Sequence, residues 1–194
     1  MDSRFKLLVD TFGKDKFKFN EPLAPFTTLK IGGPAKLFFI VFSINEIIKL
    51  VNFCRQLKLP FLLFGTGSKV LISDKGFEGL VIKNRTRNLK VLSIKGKVSK
   101  TGIGVEEALI EAESGVSMIN FADFLRGQGL AYKEFEDTAG SIGGNLFLNF
   151  NLQEKTENIK VLNMDLKVVT ISIRDLNLNK YIILSATFKI KAKI

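Results

Sequence analysis

Apolar and polar positions fall in short blocks along this chain, and the blocks read as strands parted by glycine turns. Phe61–Phe64 is a continuous apolar run, as expected of a buried strand. It stops at Gly65-Thr66-Gly67-Ser68. A second run, residues 70–72, follows at once and reads as another strand. A Ser73-Asp74-Lys75-Gly76 turn and a third run, 80–82, come next. Upstream, Gly32-Gly33-Pro34 breaks the chain before a strand-like run over 37–42. Between these strands, Ile47, Ile48, Leu50, Val51 and Cys54 recur near helical spacing and predict a helix over 45–57. Ser43, with Glu46 three residues on, predicts a capping box at its start. The order strand–helix–strand–loop–strand makes residues 21–85 a compact α+β unit. Residues 1–20 read as an N-terminal extension with a short helix over 5–12. Glu21-Pro22-Leu23-Ala24-Pro25 is a stiff extended entry, because proline fixes its own φ and biases its predecessor away from helix.

The remainder, 86–194, reads as a second unit. Val91-Leu92-Ser93-Ile94 and Lys97-Val98-Ser99 flank Lys95-Gly96, which predicts a hairpin. Gly102-Ile103-Gly104 ahead of Val105-Glu106-Glu107-Ala108 imitates a dinucleotide-binding glycine turn, with Asp123 further on. The strand before it is weak and polar, however, and the third glycine is absent. A helix follows over 118–126, with Ile119, Ala122 and Leu125 on one face. Gly127 and Gly129 stop it. The tail reads as strands over 159–162, 166–173 and 181–190.

Two glycine-rich loops carry the chemistry. In the first, around Gly65 to Val70, small residues can turn successive backbone N–H groups toward one point, a concavity that suits an anion such as phosphate. An ordinary strand connection is the plainer alternative. The second, Thr138-Ala139-Gly140-Ser141-Ile142-Gly143-Gly144, lets a ligand approach the backbone closely, or else is a tight turn before the apolar run 146–150. Glu134, Glu136 and Asp137 suggest either paired carboxylates or a solvated acidic loop.

Composition narrows the field. The 194 residues carry a net charge of +10, with the lysines scattered rather than clustered. That fits an anionic small ligand better than nucleic acid. No histidine is present, which excludes His-based triads and His-containing zinc sites. Cys54 is the single cysteine and sits among apolar positions, so it reads as a buried thiol rather than a nucleophile. No apolar run is long enough for a membrane span, and a cytoplasmic location is expected.

Taken in order, the motifs resemble the UDP-N-acetylenolpyruvoylglucosamine reductase (UDP-N-acetylmuramate dehydrogenase) family of peptidoglycan precursor synthesis. The resemblance rests on PLAPFTTLKIGGPAKLF from Pro22, LPFLLFGTGSKVLISDKGFEGLVI from Leu59, the stretch 121–144, and ILSATFKI from Ile183. It implies an α+β fold in two subdomains of the vanillyl-alcohol-oxidase type, with FAD held between them. FAD contacts would come from Ile31, Gly32, Gly33, Gly65, Thr66, Gly67, Ser68, Lys69, Val70, Gly140, Ser141, Gly143 and Gly144. NADPH would be the electron donor. The chain departs from the family's pattern at Thr66 and Lys69, where glycine and asparagine are usual, and at Asp137 and Ala139, where glycine and proline are usual. Asn149-Phe150-Asn151-Leu152-Gln153 also replaces Asn-Ala-Gly-Ala-Tyr. No Gly-Tyr-Arg follows Leu178, so no residue matches the family's catalytic arginine. The substrate domain, with its serine and glutamate, would begin after Ile190. The resemblance therefore implies a shortened FAD-binding body without turnover alone and without catalytic residues of its own. The alternatives are a flavin-free binding or regulatory module, or half of a split enzyme whose missing domain a separate protein supplies. No metal, nucleic acid or membrane partner is expected.

Overall fold

The computed structural model describes residues 2–99, 102–130 and 132–192. The chain divides into two units that part between Thr86 and Arg87.

The first unit is a mixed sheet of β1 (Phe17–Pro22), β2 (Pro34–Val41), β3 (Phe61–Phe64) and β4 (Phe77–Asn84), in the order β1-β2-β4-β3. Strands β2, β4 and β3 run parallel, and β1 lies antiparallel on the edge. Helices α1 (Ser3–Phe12) and α2 (Ile44–Gln56) complete the unit, so residues 3–20 supply a helix and most of an edge strand. The capping box at Ser43 forms in both directions. Ser43 Oγ accepts the Glu46 N–H at 3.2 Å, and Glu46 Oε2 accepts the Ser43 N–H at 3.3 Å.

Register assigns the two faces of this sheet. Phe39 pairs with Ile82, and its ring meets Phe12 of α1, which in turn meets Phe53 of α2. That is the helix-covered face. Phe38 pairs with Val81 on the opposite face, where Leu23, Phe64 and Ile72 are buried with them and Phe26 and Val70 pack against the cluster. Loops cover this second face. The run 70–72 is therefore not a strand. Val70 and Ile72 plug the cluster while Leu71 is exposed, and no neighbouring strand pairs with the segment.

The second unit is an antiparallel sheet of β5 (Leu89–Ser99), β6 (Gly102–Glu113), β7 (Thr156–Leu162), β8 (Val168–Ile171) and β9 (Ile182–Lys191), ordered β5-β6-β9-β7-β8. The hairpin expected at Lys95-Gly96 is instead one long strand. Its register with β6 shifts between Lys95 and Gly96, so the glycine marks a β-bulge and not a turn. The β5–β6 connection, at residues 100 and 101, lies outside the described residues. Gly102 and Gly104 are strand residues, which removes the dinucleotide turn, since that motif needs a helix to open there. Asp123 forms a surface ion pair with Arg126.

Helix α3 (Met118–Gly127) packs Phe121 against Phe188 of β9 and against Phe135 of α4 (Lys133–Glu136). Its buried face is Met118, Phe121, Ala122 and Leu125; Ile119, expected on that face, is exposed. Two short helices follow, α5 (Ile142–Asn145) and α6 (Phe150–Glu154).

Candidate functional site

Strands β3 and β4 are parallel, so the chain must cross back between them. Residues 65–76 make that crossing without a helix. The crossing leaves the carboxyl end of β3, the end at which open sheets of this kind bind ligands. Along its length the crossing is locked through backbone to the 23–33 loop, which is also closed on itself. Thr28 N–H donates to the Gly67 carbonyl at 3.2 Å, Gly33 N–H to Ser73 at 2.9 Å, and Ala24 N–H to Gly32 at 3.1 Å. Gly67 is buried with φ +85°, and a Cβ on it would overlap the Phe26 carbonyl oxygen. A Cβ on Gly33 would overlap the carbonyl oxygen of Asp74. The glycines at 33 and 67 thus serve the packing of loop on loop.

The loop also leaves donors unused. Among the described residues, no protein group accepts the N–H of Thr66, Gly67, Ser68 or Lys69. The Thr66 and Ser68 hydroxyls stand 3.2 Å apart beside them. Successive free N–H groups in a tight loop are the donor set of an anion-binding concavity. Lys30 on the 23–33 loop and Lys69 and Lys75 on the crossing are exposed, against one acid, Asp74. Ile31 is exposed, with its carbonyl accepting from Thr27 Oγ1 at 2.9 Å, while Val70 turns inward to the core.

Lys83 was not evident from the sequence. It is the penultimate residue of β4, level with Phe64, and is 6% exposed. Its Nζ lies 4.6 Å from the Phe64 ring centroid and 5.9 Å from that of Phe26, and donates to the Phe26 carbonyl at 3.4 Å. Burial, with Arg85 adding its repulsion, pushes the Lys83 amine down to about 8. The available signal was its phase: two residues after Val81, it faces the same side of the sheet.

The second loop is bound up within its own unit. Met118 N–H donates to Gly140, Ile142 N–H to Val116 at 2.8 Å, and Gly143 N–H to Ser114 at 2.9 Å. Asn145 Nδ2 donates to the Ala139 and Ser141 carbonyls, each at 3.0 Å. Ser141 is buried. Gly140, Ser141 and Gly144 keep N–H groups that no protein acceptor takes among the described residues, but Gly143 does not. The expected apolar run 146–150 is turn and helix here, leaving Phe147, Leu148 and Phe150 exposed.

The other candidates are placed plainly. Glu136 pairs with Arg126 at 2.9 Å, and Asp137 is exposed. Among the described residues, no cluster of acids and cysteine fit to hold a metal occurs, and no helix is long and apolar enough to cross a membrane. Cys54 is fully buried, and burial pushes its thiol up to about 12. Residues 177–181 form a turn into β9 and contain no arginine.

Comparison with known proteins fits this geometry. A profile described as FAD binding domain matches residues 35–150, more than half of the chain. A UDP-N-acetylenolpyruvoylglucosamine reductase of Syntrophomonas wolfei is 34% identical over 143 residues, which cover 73% of this chain and 44% of the relative. The crystal structure of the corresponding Thermus caldophilus reductase superposes with a TM-score of 0.64 at 18% identity, over 92% of this chain and 62% of that one. A VAO-type flavoprotein of Myceliophthora thermophila superposes with a TM-score of 0.65 at 12% identity, over 99% of this chain and 47% of that one. The chain spans about half the length of the curated relatives it matches. It belongs to the FAD-binding domain family and has the α+β, two-unit FAD-binding fold of the vanillyl-alcohol-oxidase type.

Proposed function

We propose that this chain is the FAD-holding body of a reductase related to those that make UDP-N-acetylmuramate for peptidoglycan, working in the cytoplasm. The observation that carries the reading is the run of free N–H groups from Thr66 to Lys69, a donor set of the right kind for a dinucleotide's diphosphate. Ile31, Gly32, Gly33, Gly65 and Val70 would shape the first loop around the ligand, and Gly140, Ser141, Gly143 and Gly144 would add contacts from the second. Gly143 would do so by its lack of a side chain, because its N–H is already engaged. Lys69 would add positive charge where asparagine is usual. Bound FAD would supply hydride transfer, drawing on NADPH. The protein's share is position and charge. With no arginine in 177–181, the chain is not expected to turn over UDP-N-acetylenolpyruvoylglucosamine alone.

The test is the visible spectrum of the purified protein before and after adding excess FAD. Uptake of a yellow flavin is the expected result. A protein that stays colourless with added FAD would overturn the reading. The exposed run Phe147, Leu148 and Phe150 favours a second reading, a flavin-free module or half of a split enzyme docking on a separate protein. The flavin-free module predicts a colourless protein, whereas half of a split enzyme still takes up flavin and gains turnover only with its partner.

A further inference from the structure

The loop face of the first unit holds a charge that nothing among the described residues balances. Lys83 is 6% exposed, and among the described residues no carboxylate pairs with it. Burying an ammonium is costly unless it is paired and hydrogen-bonded. Here its compensation is two ring faces and one carbonyl at 3.4 Å, longer than a strong hydrogen bond. That leaves two of the ammonium's three N–H donors unused. An apolar side chain would fill this cluster at lower cost, so packing alone does not explain a lysine.

Position supplies the explanation. The carbonyl that Lys83 reaches is that of Phe26, and it is the same carbonyl against which Gly67 packs. The ammonium and Gly67, the middle of the loop whose N–H groups are free, therefore adjoin the same peptide, with Lys83 on the sheet side. We propose that Lys83 is the buried cation of this anion cradle, supplying from beneath the loop the positive charge that a phosphate group bound to the N–H groups requires. This inference rests on the FAD reading and sharpens it. The ligand must be phosphorylated, and the phosphate, rather than the flavin ring, is what Lys83 senses. Lys83 carries no chemical step; it positions the ligand by charge.

The test compares FAD, ADP and riboflavin binding to wild type, Lys83→Met and Lys83→Arg by calorimetry. Loss of a charged hydrogen-bond partner predicts FAD and ADP binding about ten- to a hundredfold weaker in Lys83→Met. Riboflavin binding should be unchanged, and Lys83→Arg should hold most of the affinity. Equal FAD binding by wild type and Lys83→Met would overturn the role of Lys83 and leave the FAD reading standing. So would an equal loss for riboflavin, which marks a merely structural side chain. A wild type that binds neither FAD nor ADP removes both readings. Should Lys83→Met not fold, nitrogen NMR of the wild-type lysine amine gives the answer. ADP should move its titration midpoint upward, against the repulsion of Arg85, and a midpoint that stays put overturns the proposal.

Discussion

The two glycine-rich loops look alike in sequence and behave differently in structure. In the first, the glycines at 33 and 67 are consumed by contact between loops, and the N–H groups from Thr66 to Lys69 are left over. In the second, Ile142 and Gly143 spend their N–H groups on Val116 and Ser114, and Asn145 ties down the carbonyls of Ala139 and Ser141. The lesson is that a glycine is informative for what its missing side chain lets approach. Whether a loop can bind an anion depends on which donors stay unspent, and those are not always the glycines' own.

The comparison breaks most severely at Gly67. Gly67→Ala sets a Cβ into the Phe26 carbonyl at φ +85°. We expect it to cost about 3 kcal/mol, lower the melting temperature by roughly 10 °C, and abolish FAD uptake. Thermal denaturation followed by a flavin titration checks it. Gly143→Ala is the matched change in the second loop. Its Cβ would stand 3.0 Å from Ser114 Cβ without a positive φ. About 1 kcal/mol of destabilisation is expected, with FAD affinity weakened severalfold rather than abolished. Similar losses at both positions would erase the distinction drawn between the loops.

The Lys83 amine is lowered from 10.5 to about 8 in the folded chain by burial and then by Arg85. Between these values the unfolded chain binds more protons, so this residue's contribution to stability rises with pH across that window. Lys83→Met should therefore gain stability relative to wild type below about pH 8, and the gain should shrink toward pH 10.5. Denaturant titrations of the ligand-free proteins measure it, and a difference flat across that range counts against the buried ammonium. The smallest effect is at exposed Lys69. Lys69→Ala should weaken FAD binding about threefold in low salt, and the deficit should vanish at high ionic strength.

What the sequence revealed follows from how local each signal is. Helix α2 was legible from both ends of its capping box, because Ser43 and Glu46 need only each other. The apolar run of β3 was legible as a strand for the same reason, although β3 lies at the sheet edge and only Phe64 of it is buried. Gly96 was misread because a bulge and a turn use the same residue, and only the partner strand tells them apart. Residues 70–72 look like a strand because Val70 and Ile72 point inward, yet what they cover is a sheet face and not a neighbouring edge. Thr66 to Lys69 were picked out as a loop, but whether their N–H groups are free depends on Thr28, Phe26 and Ser73, distant in sequence. For Lys83 only its phase with Val81 was legible, since burial near a strand's end is decided by the loops that fold over it.

The helix-free crossing from β3 to β4 has a kinetic consequence. A parallel pair is a non-local contact, and its loop must be closed before the pairing gives any return. With no helix to shorten that search, β3, four residues long and at the sheet edge, should dock late. The segment that carries the free N–H groups would then acquire its shape only in the last step of folding. A ligand that binds the finished loop draws the equilibrium toward the docked state by mass action. In hydrogen exchange, the amides of Leu62 to Phe64 should open more readily than those of Leu80 to Ile82, and cofactor should close that gap.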